Sequence, residues 1–174
     1  MTLAEKLGLP DPDASLPTDP KDRTFAVQKF WGTQGVKNEV LEFTRDRKSM
    51  SVHMTMNMGG AKENMLLVKG AVEMILERCS KIEHTDGTIT SITPELRKKL
   101  DAQIMQMGGS ASTLRCLGVA SKVVPPADKM DLSNPDKFAE LESDMVFAGI
   151  VGMLDPPRSD VKGAVEACDS AGIR

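Results

Sequence analysis

From Ser49 to Met56 polar and apolar residues alternate: Ser49, Ser51, His53 and Thr55 against Met50, Val52, Met54 and Met56. A period of two predicts a half-buried strand. Val36, Val40, Leu41 and Phe43 predict a strand before it. Asn57 to Asn64, which contains Gly59-Gly60, reads as a turn leading to a short apolar strand over Met65 to Val68, so these segments read as antiparallel neighbours. Lys69-Gly70-Ala71 closes that strand, and Val72, Ile75, Leu76 and Cys79 carry the stripe of a helix. Thr85 to Thr88 reads as a tight turn. Thr93 as N-cap and Pro94 at the first helical position open a helix that runs through Leu96, Leu100, Ile104 and Met107 to Gly108-Gly109. Leu114 to Val124 and Val146 to Leu154 predict two later strands. Between them lies a polar, Pro-containing excursion, Pro125 to Glu142, with a short helix over Phe138 to Leu141.

The ends are less regular. Leu3 and Leu7, followed by Gly8, predict the close of a helix. A Pro- and Asp-rich surface loop runs from Leu9 to Pro20, and a short helix spans Phe25 to Trp31, ended by Gly32 and Gly35. Asp155-Pro156-Pro157-Arg158 breaks the last strand, and Val161, Val165 and Cys168 shape a final amphipathic helix stopped by Gly172. The expected class is α+β, an antiparallel β-sheet flanked by helices.

Composition narrows the function. With 174 residues the chain can build one core. Its net charge of −3 argues against a nucleic-acid binder with a globally basic surface, while leaving room for a local basic pocket. Aromatic residues are scarce, and 12 Met take up part of the core-filling role. No apolar stretch approaches the ~20 residues of a spanning helix, and no signal peptide is legible. Cys79, Cys116 and Cys168 form no CxxC, so reduced thiols are expected rather than disulfides or zinc. No P-loop, dinucleotide fingerprint, kinase set or metal-binding His pair occurs. His53 is expected at the surface.

One segment stands out. In Phe43-Thr44-Arg45-Asp46-Arg47-Lys48-Ser49-Met50 an aromatic ring is followed by three cations. A flat ring stacks on a base, and cations meet phosphates. The same residues also fit a solvated hairpin tip with one anchoring Phe. Lys69-Gly70-Ala71, between strand and helix, suits close approach of an anion or serves as an ordinary turn. Arg115 interrupts an apolar strand and either faces a ligand or simply faces solvent.

Taken together, FTRDRKSMSV (Phe43 to Val52), KGAVE (Lys69 to Glu73), TLRCLGVA (Thr113 to Ala120) and GMLDPPRSDV (Gly152 to Val161) resemble the nucleotide-binding domain of P-type cation-transporting ATPases. The sarco/endoplasmic-reticulum-type calcium pumps are the nearest type. The weaker stretches ERC (Glu77 to Cys79) and AGIR (Ala171 to Arg174) agree with it. The resemblance covers roughly residues 36–174.

The resemblance implies an ATP site. Phe43 would stack on adenine, with Met50 and Leu117 as apolar walls. Lys69, with Gly70 and Ala71, would sit at the base-binding cavity, and Arg45, Lys48 and Arg115 would stand nearest ribose and phosphates. Residues 1–154 would form the nucleotide-binding domain, its beginning missing. Residues 155–174 would be the hinge (Asp155, Pro156, Pro157, Arg158) and first helix of a phosphorylation domain. Val72 replaces the usual Pro of KGAPE. The aspartyl-phosphate motif DKTGT, the later Gly-Asp-rich magnesium segments and the acidic adenine contact from an earlier segment are absent.

No catalytic or metal-ligating residue is therefore expected here. ATP would be the ligand, with magnesium held mainly by other segments, and the phosphorylation and actuator domains would be the partners. Neither nucleic acid nor direct membrane contact is expected. The location would be a cytosolic domain of a membrane protein of the endoplasmic reticulum. The alternatives are a non-catalytic interaction domain on this fold, or the same domain from a pump for another cation.

Overall fold

The computed structural model describes residues 3–11, 15–58, 60–109, 114–154 and 156–173. Pro12 and Asp13 of the N-terminal loop, Gly59 of the turn, Thr113, Asp155 and Arg174 lie outside the described residues. The element order is α1 (Leu3–Leu7), α2 (Pro20–Arg23), α3 (Ala26–Thr33), β1 (Gly35–Thr44), β2 (Ser49–Met58), β3 (Ala61–Ala71) and α4 (Val72–Glu77). Then follow β4 (Cys79–Glu83), β5 (Ile89–Ser91), α5 (Pro94–Gly108), β6 (Arg115–Val123), α6 (Phe138–Leu141), β7 (Met145–Met153) and α7 (Val161–Ser170). The strands form one sheet in the order β1-β2-β3-β6-β7-β4-β5. Every pairing is antiparallel except β4 with β7. The expected α+β class is what the chain adopts.

Local signals explain the helix boundaries. Thr93 Oγ1 accepts from Leu96 N at 3.2 Å at the start of α5. At Gly8 (φ +83°) and Gly172 (φ +73°) the chain takes the left-handed turn that ends α1 and α7. Gly32 does not stop α3, which runs on to Thr33. The short strands β4 and β5 were not expected. Cys79, the last residue of the predicted helical stripe, instead opens β4, because α4 ends at Glu77 and Arg78 caps it. Arg97 of α5 donates to Leu76 O and Cys79 O, both at 3.0 Å, and ties α5 to this junction.

Helices α4, α5 and α6 pack on one face of the sheet. Val72, Ile75 and Leu76 of α4 join Leu41, Leu66, Val68, Ala120, Phe138, Met145 and Phe147 in a single core. A Cβ at Gly118 would lie 3.0 Å from Val72 Cα, so the missing side chain lets α4 sit directly on β6. The alternation in β2 holds, but with an unexpected sense. Ser49, Ser51 and His53 point into the core and are fully buried, while Met50, Val52 and Met54 are half-buried on the other face.

That inversion follows from pairing. Leu41↔Ser51, His53↔Leu66, Ser51↔Val68 and Ser49↔Gly70 lie on the helix-covered face. Buried polar groups there need partners. His53 Nδ1 lies 3.0 Å from Asn38 Nδ2, and His53 Nε2 lies 2.9 Å from Pro125 O. The expectation of a surface His53 is corrected accordingly.

The cysteines differ in environment. Cys168 is exposed, Cys116 is half-buried and Cys79 is buried. Burial pushes the Cys79 thiol up from 9.0 to about 12, against the opposing charges of Arg97 and Arg78. Thiol titration at pH 8 should therefore label Cys168 at once and Cys79 only on unfolding. A raised folded pKa stabilises fully below the unfolded value, and that stability is lost as pH climbs through the folded one. Denaturation between about pH 9 and 12 should accordingly become less steep in Cys79→Ala.

Candidate functional site

The loop between β1 and β2 is built by a bulge. Opposite β2, Leu41 pairs with Ser51 and Thr44 pairs with Ser49, so two residues of β1 stand where regular pairing allows one. In an unbroken strand Phe43 would share the core face of Leu41. The extra residue turns Phe43 to the opposite face, where the residue is 57% exposed. The chain then reverses through residues 45–48, with Lys48 N donating to Thr44 O at 2.8 Å and Lys48 in the left-handed region (φ +51°).

Phe43 thereby faces a cleft of about 410 Å³ lined by Lys48, Met50, Lys69, Gly70, Ala71, Cys116 and Leu117. Met50 and Leu117 give it apolar walls, and exposed Lys48 and Lys69 bring two cations to it. The strand pairings Met50↔Lys69 and Ala71↔Leu117 bring these distant segments side by side. Gly70 is needed where it stands. A Cβ there would strike Lys48 O and lie 2.8 Å from Ser49 Cα, both part of the adjoining strand end. Gly70→Ala should cost about 1–3 kcal/mol of stability through forced backbone shifts, as chemical denaturation would measure.

Seven of the nine sequence-predicted ligand residues thus line one concavity. Arg45 and Arg115 do not. Both are exposed: Arg45 in the loop, Arg115 at the start of β6, two residues before Leu117. Cys116 lines the cleft without having been expected. Pro156, Pro157 and Arg158 are exposed ahead of α7, none of whose residues is buried. Among the described residues no group of three His, Cys, Asp or Glu side chains could hold a metal ion, and no helix is long and apolar enough to cross a membrane.

Beneath the loop lies a buried ion cluster that spacing gave no hint of. Glu142, fully buried just after α6, accepts from Ser49 Oγ at 2.6 Å and Ser51 Oγ at 2.8 Å. Its carboxylate also meets Arg78 Nη1 at 2.5 Å and Arg47 Nη1 at 3.0 Å. The Arg47 contact is an ion pair and falls short of an aligned hydrogen bond. Arg47 lies over the Phe138 ring, 5.1 Å from its centroid. Burial, helped by the charge of Arg78 and opposed by Glu142, lowers the Arg47 pKa, yet a guanidinium stays charged in proteins.

The comparisons agree with the motifs. The family described as P-type ATPase, cytoplasmic domain N, matches residues 23–160. A probable calcium-transporting ATPase of Trypanosoma brucei brucei is 42% identical over 141 residues, which is 79% of this chain and 14% of that protein. Calcium-transporting ATPase 3, endoplasmic reticulum-type, of Arabidopsis thaliana is 40% identical over 182 residues, covering 99% of this chain and 16% of that protein. The chain therefore spans about a seventh of the length of these relatives. A family match over most of the chain, resting on the fold that carries the cleft, identifies it as a member of the P-type ATPase family, containing cytoplasmic domain N.

Proposed function

We propose that this chain binds ATP in the cleft bounded by Phe43, Met50, Lys69 and Leu117, and that it positions ATP for phosphoryl transfer to an aspartate outside these residues. The observation that carries the reading is the convergence of an outward-turned aromatic ring, apolar walls and two lysines on one concavity. A purine fits between ring and apolar wall, and lysine ammonium groups meet a phosphate tail as point charges. Gly70 leaves room for a ligand to approach the backbone. Arg45 and Arg115 stand outside the lining and would meet the ribose or phosphates only where the nucleotide extends beyond it. Magnesium would travel with the phosphates and take its protein ligands from other segments.

The parent would be a calcium-transporting P-type ATPase, as the two relatives are named. This domain would then work with the phosphorylation and actuator domains as a cytosolic part of a pump of the endoplasmic reticulum. Residues 1–154 would be the binding domain. Residues 155–174, including Pro156, Pro157 and Arg158, would be the hinge and first helix of the next. Two prolines restrict the backbone there, which suits a guided swing.

ATP titration of the isotope-labelled chain tests the binding. Amide shifts should cluster at Phe43, Met50, Lys69 to Ala71 and Leu117. Unchanged spectra at several-millimolar ATP would overturn the reading. ATP should also slow alkylation of Cys116, which lines the cleft, and leave Cys168 unaffected.

A further inference from the structure

We infer that Arg47 is the positioning residue that presents Phe43 to the nucleobase, locked in place from the opposite side of the sheet by Glu142 and Arg78. The inference rests on the ATP reading above and assigns part of that site's affinity to residues outside the cleft.

The bulge in β1 is the starting point. A bulge interrupts ladder pairing, so carbonyls there need other donors. Arg47 Nη2 supplies them: it donates to Leu41 O at 3.0 Å and also to Glu42 O, the two carbonyls immediately before Phe43. The guanidinium folds back under its own loop and holds open the distortion that turns the ring outward. It is 5% exposed, which leaves a ligand in the cleft little access to it.

Arg47 is itself fixed. Glu142 pairs with its Nη1, the Phe138 ring lies beneath it, and Arg78 Nη2 donates to Arg47 O at 2.5 Å. The same carboxylate takes the hydroxyls of Ser49 and Ser51, which flank cleft-lining Met50 on β2. Both strand ends that carry the cleft are thus tied to one buried anion. If the guanidinium were lost, β1 could relax toward regular pairing, which would return Phe43 to the face of Leu41.

The test is a double-mutant cycle on ATP affinity, with Arg47→Met and Phe43→Ala alone and together. Arg47→Met should weaken ATP on the order of tenfold, in the range of a lost base stack. In the Phe43→Ala background it should add less than about twofold, because a ring already absent cannot be misplaced. An equal loss in both backgrounds would mean only general support of the loop and would overturn the inference, as would a folded Arg47→Met chain with unaltered affinity. If Arg47→Met fails to fold, Arg47→Met/Arg78→Met/Glu142→Gln, which removes all three charges of the cluster, enters the same cycle. Scalar couplings from slowly exchanging Arg47 Nη protons to the Leu41 and Glu42 carbonyls are expected in the unaltered chain, and rapid exchange with no coupling would overturn the inference independently. Failure of the unaltered chain to bind ATP at all would instead defeat the functional reading.

Discussion

Phe43→Ala should weaken ATP binding by roughly one to two orders of magnitude while leaving thermal stability nearly unchanged. The asymmetry follows from where the ring sits. At 57% exposed the residue contributes little to the core, so its truncation opens no cavity. Towards a ligand it offers the one aromatic surface in a cleft otherwise walled by Met50, Ala71 and Leu117. Loss of a base-stacking ring costs about 1–3 kcal/mol, or about 5- to 150-fold in affinity. Isothermal titration beside a thermal melt measures both halves. A large stability loss without a change in affinity would show an anchoring ring in place of a stacking one.

Glu142→Ala should have the opposite profile, with stability as its first casualty. The carboxylate is fully buried and serves two hydroxyls and two guanidinium groups. Removing it leaves Arg47 and Arg78 facing each other without their anion, and breaking a buried ion pair from one side costs about 3–5 kcal/mol. For a domain of this size the melting temperature should fall on the order of 10 °C. Replacing all three charged residues with apolar ones of similar volume should recover much of that loss, because desolvation of the ions disappears together with their attraction. Chemical denaturation of the single and triple variants checks the contrast.

Most of the fold, β4 and β5 excepted, was legible because its signals are local. Alternation over Ser49 to Met56, the Thr93-Pro94 cap and the short helix over Phe138 to Leu141 each lie within a few neighbouring residues, and each element is present. The sense of the alternation was not legible. Serine and histidine take the core face of β2 only because Glu142, Asn38 and the carbonyl of Pro125 wait there, and Glu142 is 93 residues from Ser49 in sequence. Nothing near Glu142 distinguishes it from the solvated acidic residues around it.

The site shows the same division. Motif likeness named Phe43, Lys48, Met50, Lys69, Gly70, Ala71 and Leu117, and the strand pairings bring those seven to one cleft. By simple alternation Phe43 would have faced the core, because the bulge that turns it outward depends on register against β2. Arg45 and Arg115 stay outside the lining, since exposed cations at a loop and a strand end follow solvent rather than the sheet. Cys116 enters because its strand passes the cleft, with no signal in its own type or spacing.

The claim beneath all of this is that adenine lies against the ring of Phe43. Intermolecular nuclear Overhauser contacts in the ATP complex read it directly. The purine H2 and H8 protons should show cross-peaks to the Phe43 ring and to the methyl groups of Met50 and Leu117. A saturated complex whose purine protons contact none of these residues would contradict the account.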